Sequence, residues 1–393
     1  MRILAACSLG GAGHFTPLVP FLAAARRQGH ETLVIGPPAV GPMVEAAGYA
    51  FVAGGEPPES LIAPIRERLP LAPPHEASIL GNRELFGRLA AGAMLAGMHR
   101  VCGEWAPDLV LRDPCEYASA VVAPPLGVPT AQVAISLASA EAGSIAAAAP
   151  ALEEHRPGLV EEVLAMPYLT RFPASLDPST FATTIRFGEP ELIASPLPDW
   201  WDGSTAPLVY LTMGTVVAHL SSAATVYRTL LDALAPLDAR VLLTVGRHFD
   251  PTGLGAVPAN THVEAWVDHA DAASAADLVV CHGGSGTVFG TLAAGVPLVV
   301  VPVLGDQFDN GIRVAECGAG ITLGPAPEAG GPAGDGPDEG RRVIDDGDRQ
   351  RITEAVSAVL GTASYRDRAQ SVAEEMRAAP GVDEVLATLL GTG

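Results

Sequence analysis

Short unbroken apolar runs alternate with segments of helical spacing along the whole chain. Arg2 to Leu9 is such a run, and Pro17 to Gln28 then carries apolar residues at helical intervals before stopping at Gly29. Glu31 to Gly36 predicts a second strand, Val40 to Ala47 a short helix closed by Gly48, and Tyr49 to Ala53 a third strand. Gly54 to Pro74 is rich in proline and predicts an irregular connection, after which Arg83 to Trp105 has helical spacing. Leu109 to Arg112 and Thr130 to Ser136 predict two more strands, flanking a helix from Glu116 to Pro124. Strand and helix in regular alternation predict an α/β fold with a parallel, doubly wound sheet.

The pattern then restarts. Ser195 to Pro207 has the proline, glycine and polar residues of an interdomain linker. Beyond it Leu208–Met213, Arg240–Val245, Thr261–Glu264, Asp277–Cys281 and Leu298–Val301 predict strands, and 222–235, 285–294 and 309–317 predict helices. Gly324 to Asp348 is an acidic, glycine- and proline-rich tract expected to be a flexible surface loop, its Asp346-Gly347-Asp348 a solvated turn rather than a metal site. Amphipathic helices are expected over 348–360, 365–378 and 382–390. The expected domains are therefore 1–196 and 207–380, each Rossmann-like, facing a cleft, with 381–393 forming a terminal helix that packs back on the first.

Composition narrows the possibilities. A chain of 393 residues is too long for one ordinary core, and a hydrophobic content of 48% supports two large ones. No apolar run approaches the ~20 uncharged residues of a membrane span, and the apolar stretch ahead of Cys7 is too short for a signal segment. Cysteines at 7, 102, 115, 281 and 317 share no metal-like spacing, so a reducing, cytoplasmic setting is expected. The net charge of −21, without a long Lys/Arg cluster, argues against nucleic acid and anionic membrane as partners.

That charge also constrains the chemistry of Val279 to Gly290, which reads Val-Val-Cys-His-Gly-Gly-Ser-Gly-Thr-Val-Phe-Gly. A buried strand ends in a histidine and a glycine turn that opens a helix, which is the arrangement of an anion site: close backbone amides and the positive end of a helix dipole. The turn lacks the lysine of a nucleotide-triphosphate loop, since Thr287 and Val288 follow Gly286. A dinucleotide fingerprint fails as well, because the third glycine falls on Phe289 here and on Thr16 in the N-terminal glycine loop. A diphosphate in so acidic a protein has to be held by local amides and histidines.

Around this turn stand Trp266-Val267-Asp268-His269, Ala276-Asp277, Gly295-Val296-Pro297 and Pro302-Val-Leu-Gly-Asp306-Gln307-Phe-Asp-Asn310. In order and spacing they resemble the sugar-nucleotide signature of the family 1 GT-B glycosyltransferases, within which the chain looks most like the actinobacterial enzymes that glycosylate polyketides, enediynes and macrolides. Gly10-Gly11-Ala12-Gly13-His14-Phe15-Thr16-Pro17-Leu18, Asp113-Pro114 and Gly127-Val128-Pro129 match the same family, so the resemblance covers nearly the whole chain.

The resemblance implies a metal-independent, inverting hexosyltransferase without a bound cofactor, using a dTDP- or UDP-sugar as co-substrate and a small hydrophobic natural-product acceptor, in antibiotic biosynthesis. His14 is then the general base and Asp113 the carboxylate that orients it. His282, with the turn at Gly284, Ser285, Gly286 and Thr287, binds the diphosphate. Trp266 and Val267 flank the nucleobase, Trp266 as its stacking platform, while Asp306 and Gln307 hold sugar hydroxyls and Thr215 belongs to a donor loop with Thr212. Family members commonly carry Pro-Gln where this chain has Asp268-His269, which suggests His269 as the replacement contact. Phe86, Met94 and Met98 suit the wall of an apolar acceptor pocket. A homodimer is compatible with this picture. Two alternatives remain open at this point: an epimerase or hydrolase that keeps the donor site but uses no acceptor, and a catalytically silent sugar-nucleotide-binding partner protein.

Overall fold

The computed structural model describes all residues except 10, 70–71, 73, 189–193, 215–221, 248, 304, 325–343, 345 and 392–393. It divides into two compact units, Met1–Pro190 together with Ala378–Gly393, and Glu191–Arg377.

In the first unit a seven-stranded sheet has the order β3-β2-β1-β4-β5-β6-β7. Its strands are β1 (Arg2–Ala6), β2 (Glu31–Gly36), β3 (Phe51–Ala53), β4 (Leu109–Arg112), β5 (Thr130–Val133), β6 (Tyr168–Thr170) and β7 (Thr184–Arg186). All pairings are parallel, with Ala6 opposite both Ile35 and Arg112. The unbroken apolar character of β1 and β4 has its reason here: each is covered on both faces, with Ile3, Leu4, Ala5 and Ala6 fully buried. The order reverses between β1 and β4, so the loops leaving these two strands open a crevice at their carboxyl ends.

The second unit repeats the plan with six strands in the order β10-β9-β8-β11-β12-β13. They are β8 (Leu208–Thr212), β9 (Arg240–Thr244), β10 (Thr261–Glu264), β11 (Leu278–Cys281), β12 (Leu298–Val300) and β13 (Gly320–Thr322). These too pair in parallel, and the reversal lies between β8 and β11, where Thr212 stands opposite Cys281.

Several expectations need correction. Residues 137–190 had been given no elements, yet they form helices Ala138–His155 and Leu159–Ala165 and the strands β6 and β7. The alanine-rich helix has no clear apolar stripe to read, and three-residue strands are too short to show a period. Gly54–Pro74 is not wholly irregular: Glu59–Arg68 is helical with Pro64 inside it. Arg83–Trp105 is not one uniform helix, because Ile79–Ala90 is wound as a wider π-helix and Ala91–Glu104 as an α-helix. Asp348 is not in a solvated turn; it is buried in the first turn of helix Asp346–Gly361 and pairs with Arg351 at 3.0 Å. Most of the acidic tract, 325–343 and 345, lies outside the described residues. Among the described residues no helix is long and apolar enough to cross a membrane.

The last helix, Val382–Leu389, buries Val382, Val385 and Leu386 in the core of the first unit beside Phe21, Leu22 and Ala25 of helix Val19–Arg27. At its edge Arg27 donates to Asp383 at 2.5 Å, an exposed pair worth at most about 1 kcal/mol, so the apolar face does most of the holding.

Candidate functional site

In the first unit the two loops at the sheet reversal meet. The loop after β1 turns through Gly11, whose φ of 66° lies in the left-handed region, into the short helix Ala12–Phe15 and delivers His14. The loop after β4 delivers Asp113, whose own N–H bonds to Ala6 O at 3.0 Å and continues the β1–β4 ladder. His14 Nδ1 lies 3.1 Å from Asp113 Oδ1, with Asp113 fully buried and the His14 side chain 13% exposed. Asp113 is held by backbone as well: Ser8 N–H donates to Oδ2 at 2.6 Å and Cys115 N–H to Oδ1 at 2.7 Å. Burial, the largest single influence on His14, works to lower its pKa, but the Asp113 charge and hydrogen bond carry it above its ordinary 6.5.

Arg112, fully buried, sets the turn that carries Asp113. Its guanidinium donates to Glu116 O at 2.5 Å, to Pro114 O at 2.8 Å and to Gln132 Oε1 at 3.0 Å. Phe86, from the π-helix, stacks on the His14 ring with centroids 5.6 Å apart. Met94 and Met98 do not line this crevice. Both are buried in a core cluster with Leu4, Ala6, Ile35 and Val110, and Met94 presses so closely on Gly54 that a Cβ there would come within 2.4 Å of its sulfur. The acceptor-wall expectation for these two methionines is corrected on that ground.

Behind the end of β5 a second acid is buried. Glu141 accepts the amides of Ile135 and Ser136, each at 2.7 Å, while its Oε2 has no hydrogen-bond partner among the described residues. Burial is the main cause that pushes its pKa up to about 8, against the lowering effect of those two amides and of the nearby Tyr168 hydroxyl. Nothing in the sequence marked this residue beyond its interruption of an alanine-rich run.

In the second unit the corresponding reversal brings Gly214, after β8, to the glycine turn after β11. His282 is 7% exposed, and its ring fills the space both glycines leave: a Cβ on Gly214 would come within 2.6 Å of it and one on Gly284 within 2.5 Å. Among the described residues its buried Nδ1 has no hydrogen-bond partner. Desolvation, far outweighing the opposing charge of Asp306, brings its pKa down to about 4, so the ring is neutral at pH 7. Gly283 has φ 91°, and a side chain there would meet Val300 at 2.6 Å and the Gln307 carbonyl at 2.8 Å. Helix Ser285–Ala293 begins at this turn, and the amide of Gly286, at its second position, has no helical carbonyl to reach; among the described residues nothing would lie within 4 Å of a Cβ on Gly286.

The 303–310 loop is stitched to the turn. Ser285 Oγ donates to Asp306 Oδ2 at 2.9 Å, and Asn310 Nδ2 donates to Gly283 O at 2.8 Å and Ser285 Oγ at 3.0 Å. Gln307 is buried, its Oε1 accepting Val303 N–H at 2.9 Å. Asn310 stood in the signature without a role; its place one helical turn after Asp306 was the available signal.

Trp266 is 52% exposed, with the Arg247 guanidinium 4.5 Å from its ring centre, and Val267 beside it is half-buried. Arg247 is an exposed residue that sequence reasoning did not single out. His269 is not free to stand in for the missing glutamine. It packs beneath helix Ser285–Ala293, where a Cβ on Gly290 would come within 2.7 Å of it, and its Nε2 is 3.4 Å from Thr291 Oγ1. Thr215 lies outside the described residues. Thr212, buried at the end of β8, accepts Gly214 N–H at 3.4 Å.

Two parallel-sheet units, each with a histidine-bearing glycine loop at its strand reversal, make up the GT-B fold of glycosyltransferases. The chain belongs to the erythromycin biosynthesis protein CIII-like family, whose N-terminal domain model matches residues 23–214 and whose C-terminal domain model matches residues 228–330. Among its relatives is the L-demethylnoviosyl transferase of Streptomyces niveus, 30% identical over 95% of this chain and 94% of that one. The solved structure of the glycosyltransferase SnogD from Streptomyces nogalater superposes with a TM-score of 0.73 at 26% identity, covering 100% of this chain and 99% of that one. The fold is shared also with the spinosyn rhamnosyltransferase SpnG complexed with thymidine diphosphate, at a TM-score of 0.73, 23% identity and coverage of 99% and 100%.

Proposed function

We propose that this glycosyltransferase is an inverting enzyme of antibiotic biosynthesis, moving a hexose or deoxyhexose from a dTDP- or UDP-sugar to a small hydrophobic acceptor. The observation that carries the reading is the His14–Asp113 pair, a raised-pKa imidazole oriented by a buried carboxylate at the strand reversal of the first unit. His14 takes the acceptor proton as the acceptor heteroatom attacks the sugar C1 from the face opposite the leaving group, and Asp113 stabilises the imidazolium that forms. Direct displacement of this kind inverts the anomeric centre.

The second unit holds the donor. The diphosphate lies at the N-terminus of helix Ser285–Ala293, and its developing charge is met by the amides of the Gly284–Thr287 turn and by the neutral ring of His282 as an N–H donor. This supplies leaving-group stabilisation from the protein itself, without a metal ion or a resident cofactor. Trp266 presents an exposed ring to the nucleobase, with Val267 at its side. Asp306, anchored by Ser285 and Asn310, faces the sugar hydroxyls, and Gln307 supports that loop through Val303. The name of SpnG with its bound thymidine diphosphate supports dTDP-sugars as the first donors to try.

The test is to incubate the purified chain with a panel of dTDP- and UDP-sugars and polyketide, enediyne and macrolide aglycones, reading glycosides by mass spectrometry. A glycoside with inverted anomeric configuration, lost in His14→Ala, supports the reading. Free sugar released with no glycoside would make the chain a hydrolase, and absence of stabilisation by any nucleotide would remove the donor-site argument.

A further inference from the structure

Cys115 stands two residues beyond Asp113 on the turn that Arg112 clamps, and its thiol makes no hydrogen bond among the described residues, although its amide holds Asp113. One ligating atom each from His14, Asp113 and Cys115 lies within 4.8 Å of the other two. The His14 Nδ1 to Asp113 Oδ1 separation of 3.1 Å is already close to the edge of a metal tetrahedron, which with bonds of about 2.0 to 2.3 Å measures roughly 3.3 to 3.7 Å.

We propose that His14, Asp113 and Cys115 form a binding site for a soft divalent cation of the Zn²⁺ class, and that its occupancy switches transfer off. The site itself is a matter of geometry; only the switching rests on the reading of His14 as the base. Imidazole, carboxylate and thiolate together suit Zn²⁺ or Cd²⁺, whereas Mg²⁺ requires an oxygen set at octahedral geometry. The carboxylate stays in place on binding, since the Ser8 and Cys115 amides each use one lone pair on an oxygen that has another. The His14 side chain is 13% exposed, and the fourth position is left to water.

The proton balance explains the switching. The cation takes the Nδ1 lone pair in place of the proton that Nδ1 shares with Asp113, and that proton is re-placed on Nε2. The thiol releases its proton to solvent, so that thiolate and carboxylate neutralise the two positive charges of the ion. An imidazole metallated at Nδ1 and protonated at Nε2 has no lone pair left to accept a proton from an acceptor hydroxyl. Occupancy therefore removes the base without touching the donor site of the second unit.

The experiment uses the full chain stripped with a chelator and titrated with buffered free Zn²⁺, Cd²⁺ and Mg²⁺. Cd²⁺ is expected to produce the ultraviolet thiolate-to-metal band in wild type, with one ion bound, and neither Cys115→Ser nor Cys115→Ala should show it. Zn²⁺ is expected to inhibit transfer reversibly, and in each variant the half-inhibiting concentration, judged against that variant's own metal-free rate, should rise about tenfold or more. Dissociation of the nucleotide should be unchanged by Zn²⁺. A Cd²⁺ band that persists in both variants, Zn²⁺ inhibition unaltered by them, or Mg²⁺ acting as strongly as Zn²⁺ overturns the site. The band is read without donor or acceptor, so its failure is distinct from a failure of glycosyl transfer: a band in a protein that transfers nothing upholds the site and removes the reading of His14.

Discussion

Glu141→Gln isolates the cost of keeping an acid in the interior of the first unit. In the folded chain its pKa is pushed to about 8 from 4.5, and both backbone amides it accepts can be accepted equally by an amide oxygen. The folded pKa is raised, so the stability is fully present below the unfolded value and is lost as pH rises toward 8. Linkage over that interval gives a cost of about 1 kcal/mol at pH 5 that grows to about 4 kcal/mol at pH 8. Glutamine does not titrate. The variant should therefore gain about 3 kcal/mol on wild type between pH 5 and pH 8. Its amide nitrogen falls where Oε2 has no partner among the described residues, which adds a constant penalty of about 1 to 3 kcal/mol and leaves the slope untouched. Hydrogen exchange of peptides covering 130–141, followed in low denaturant at matched pH, measures the difference within the unit and cancels the intrinsic exchange rates. A difference between variant and wild type that stays flat within about 0.5 kcal/mol from pH 5 to pH 8 would show that Glu141 is ionised in the fold and that the reasoning from its burial is wrong.

Four further outcomes are expected. His14→Ala should lower kcat by about 10²- to 10⁴-fold with the donor Kd nearly unchanged, and Asp113→Asn should lower kcat while moving the acidic limb of the pH–rate profile downward, because the His14 pKa loses the charge that raises it. Since His282 titrates near pH 4, the Kd of an intact nucleotide sugar should be flat from pH 6 to pH 8; a weakening of about tenfold per pH unit above 6.5 would mean that a charged imidazolium binds the phosphate. Gly284→Ala, whose φ of −61° tolerates a side chain, should fold yet lose nucleotide-induced thermal stabilisation, because the new Cβ displaces the His282 ring from 2.5 Å. Leu386→Ala should destabilise the first unit by about 2 to 5 kcal/mol in urea unfolding, whereas Asp383→Ala should cost under about 1 kcal/mol.

The elements that proved legible in the sequence are those whose signal is local and strong. The apolar runs of β1, β8 and β11 stop at glycine-bearing loops and that of β4 at Asp113-Pro114, and the parallel topology sets these loops at the strand reversals. His14 and Asp113, 99 residues apart, were legible as a pair through the family resemblance, and the structure sets them at the ends of the neighbouring strands β1 and β4. What escaped depended on packing. Met94 and Met98 have the same spacing whether a pocket or a core faces them, and the core won because Gly54 and Gly97 let a chain segment cross that helix closely. The short strands β6, β7 and β13 carry too few residues for a pattern, and helix Glu59–Arg68 is disguised by its own proline. Arg112 looked like the polar end of a strand, yet its full burial and three acceptors belong to the turn that follows.

The return of Ala378–Gly393 to the first unit has a consequence for recombination between relatives. A chimera joined at a single seam near residue 190 would graft one parent's Phe21 and Leu22 onto the other parent's Val382, Val385 and Leu386, mixing two half-cores that were never selected together. Unit swaps between relatives are therefore best cut twice, carrying the last 16 residues, Ala378 to Gly393, along with the N-terminal segment.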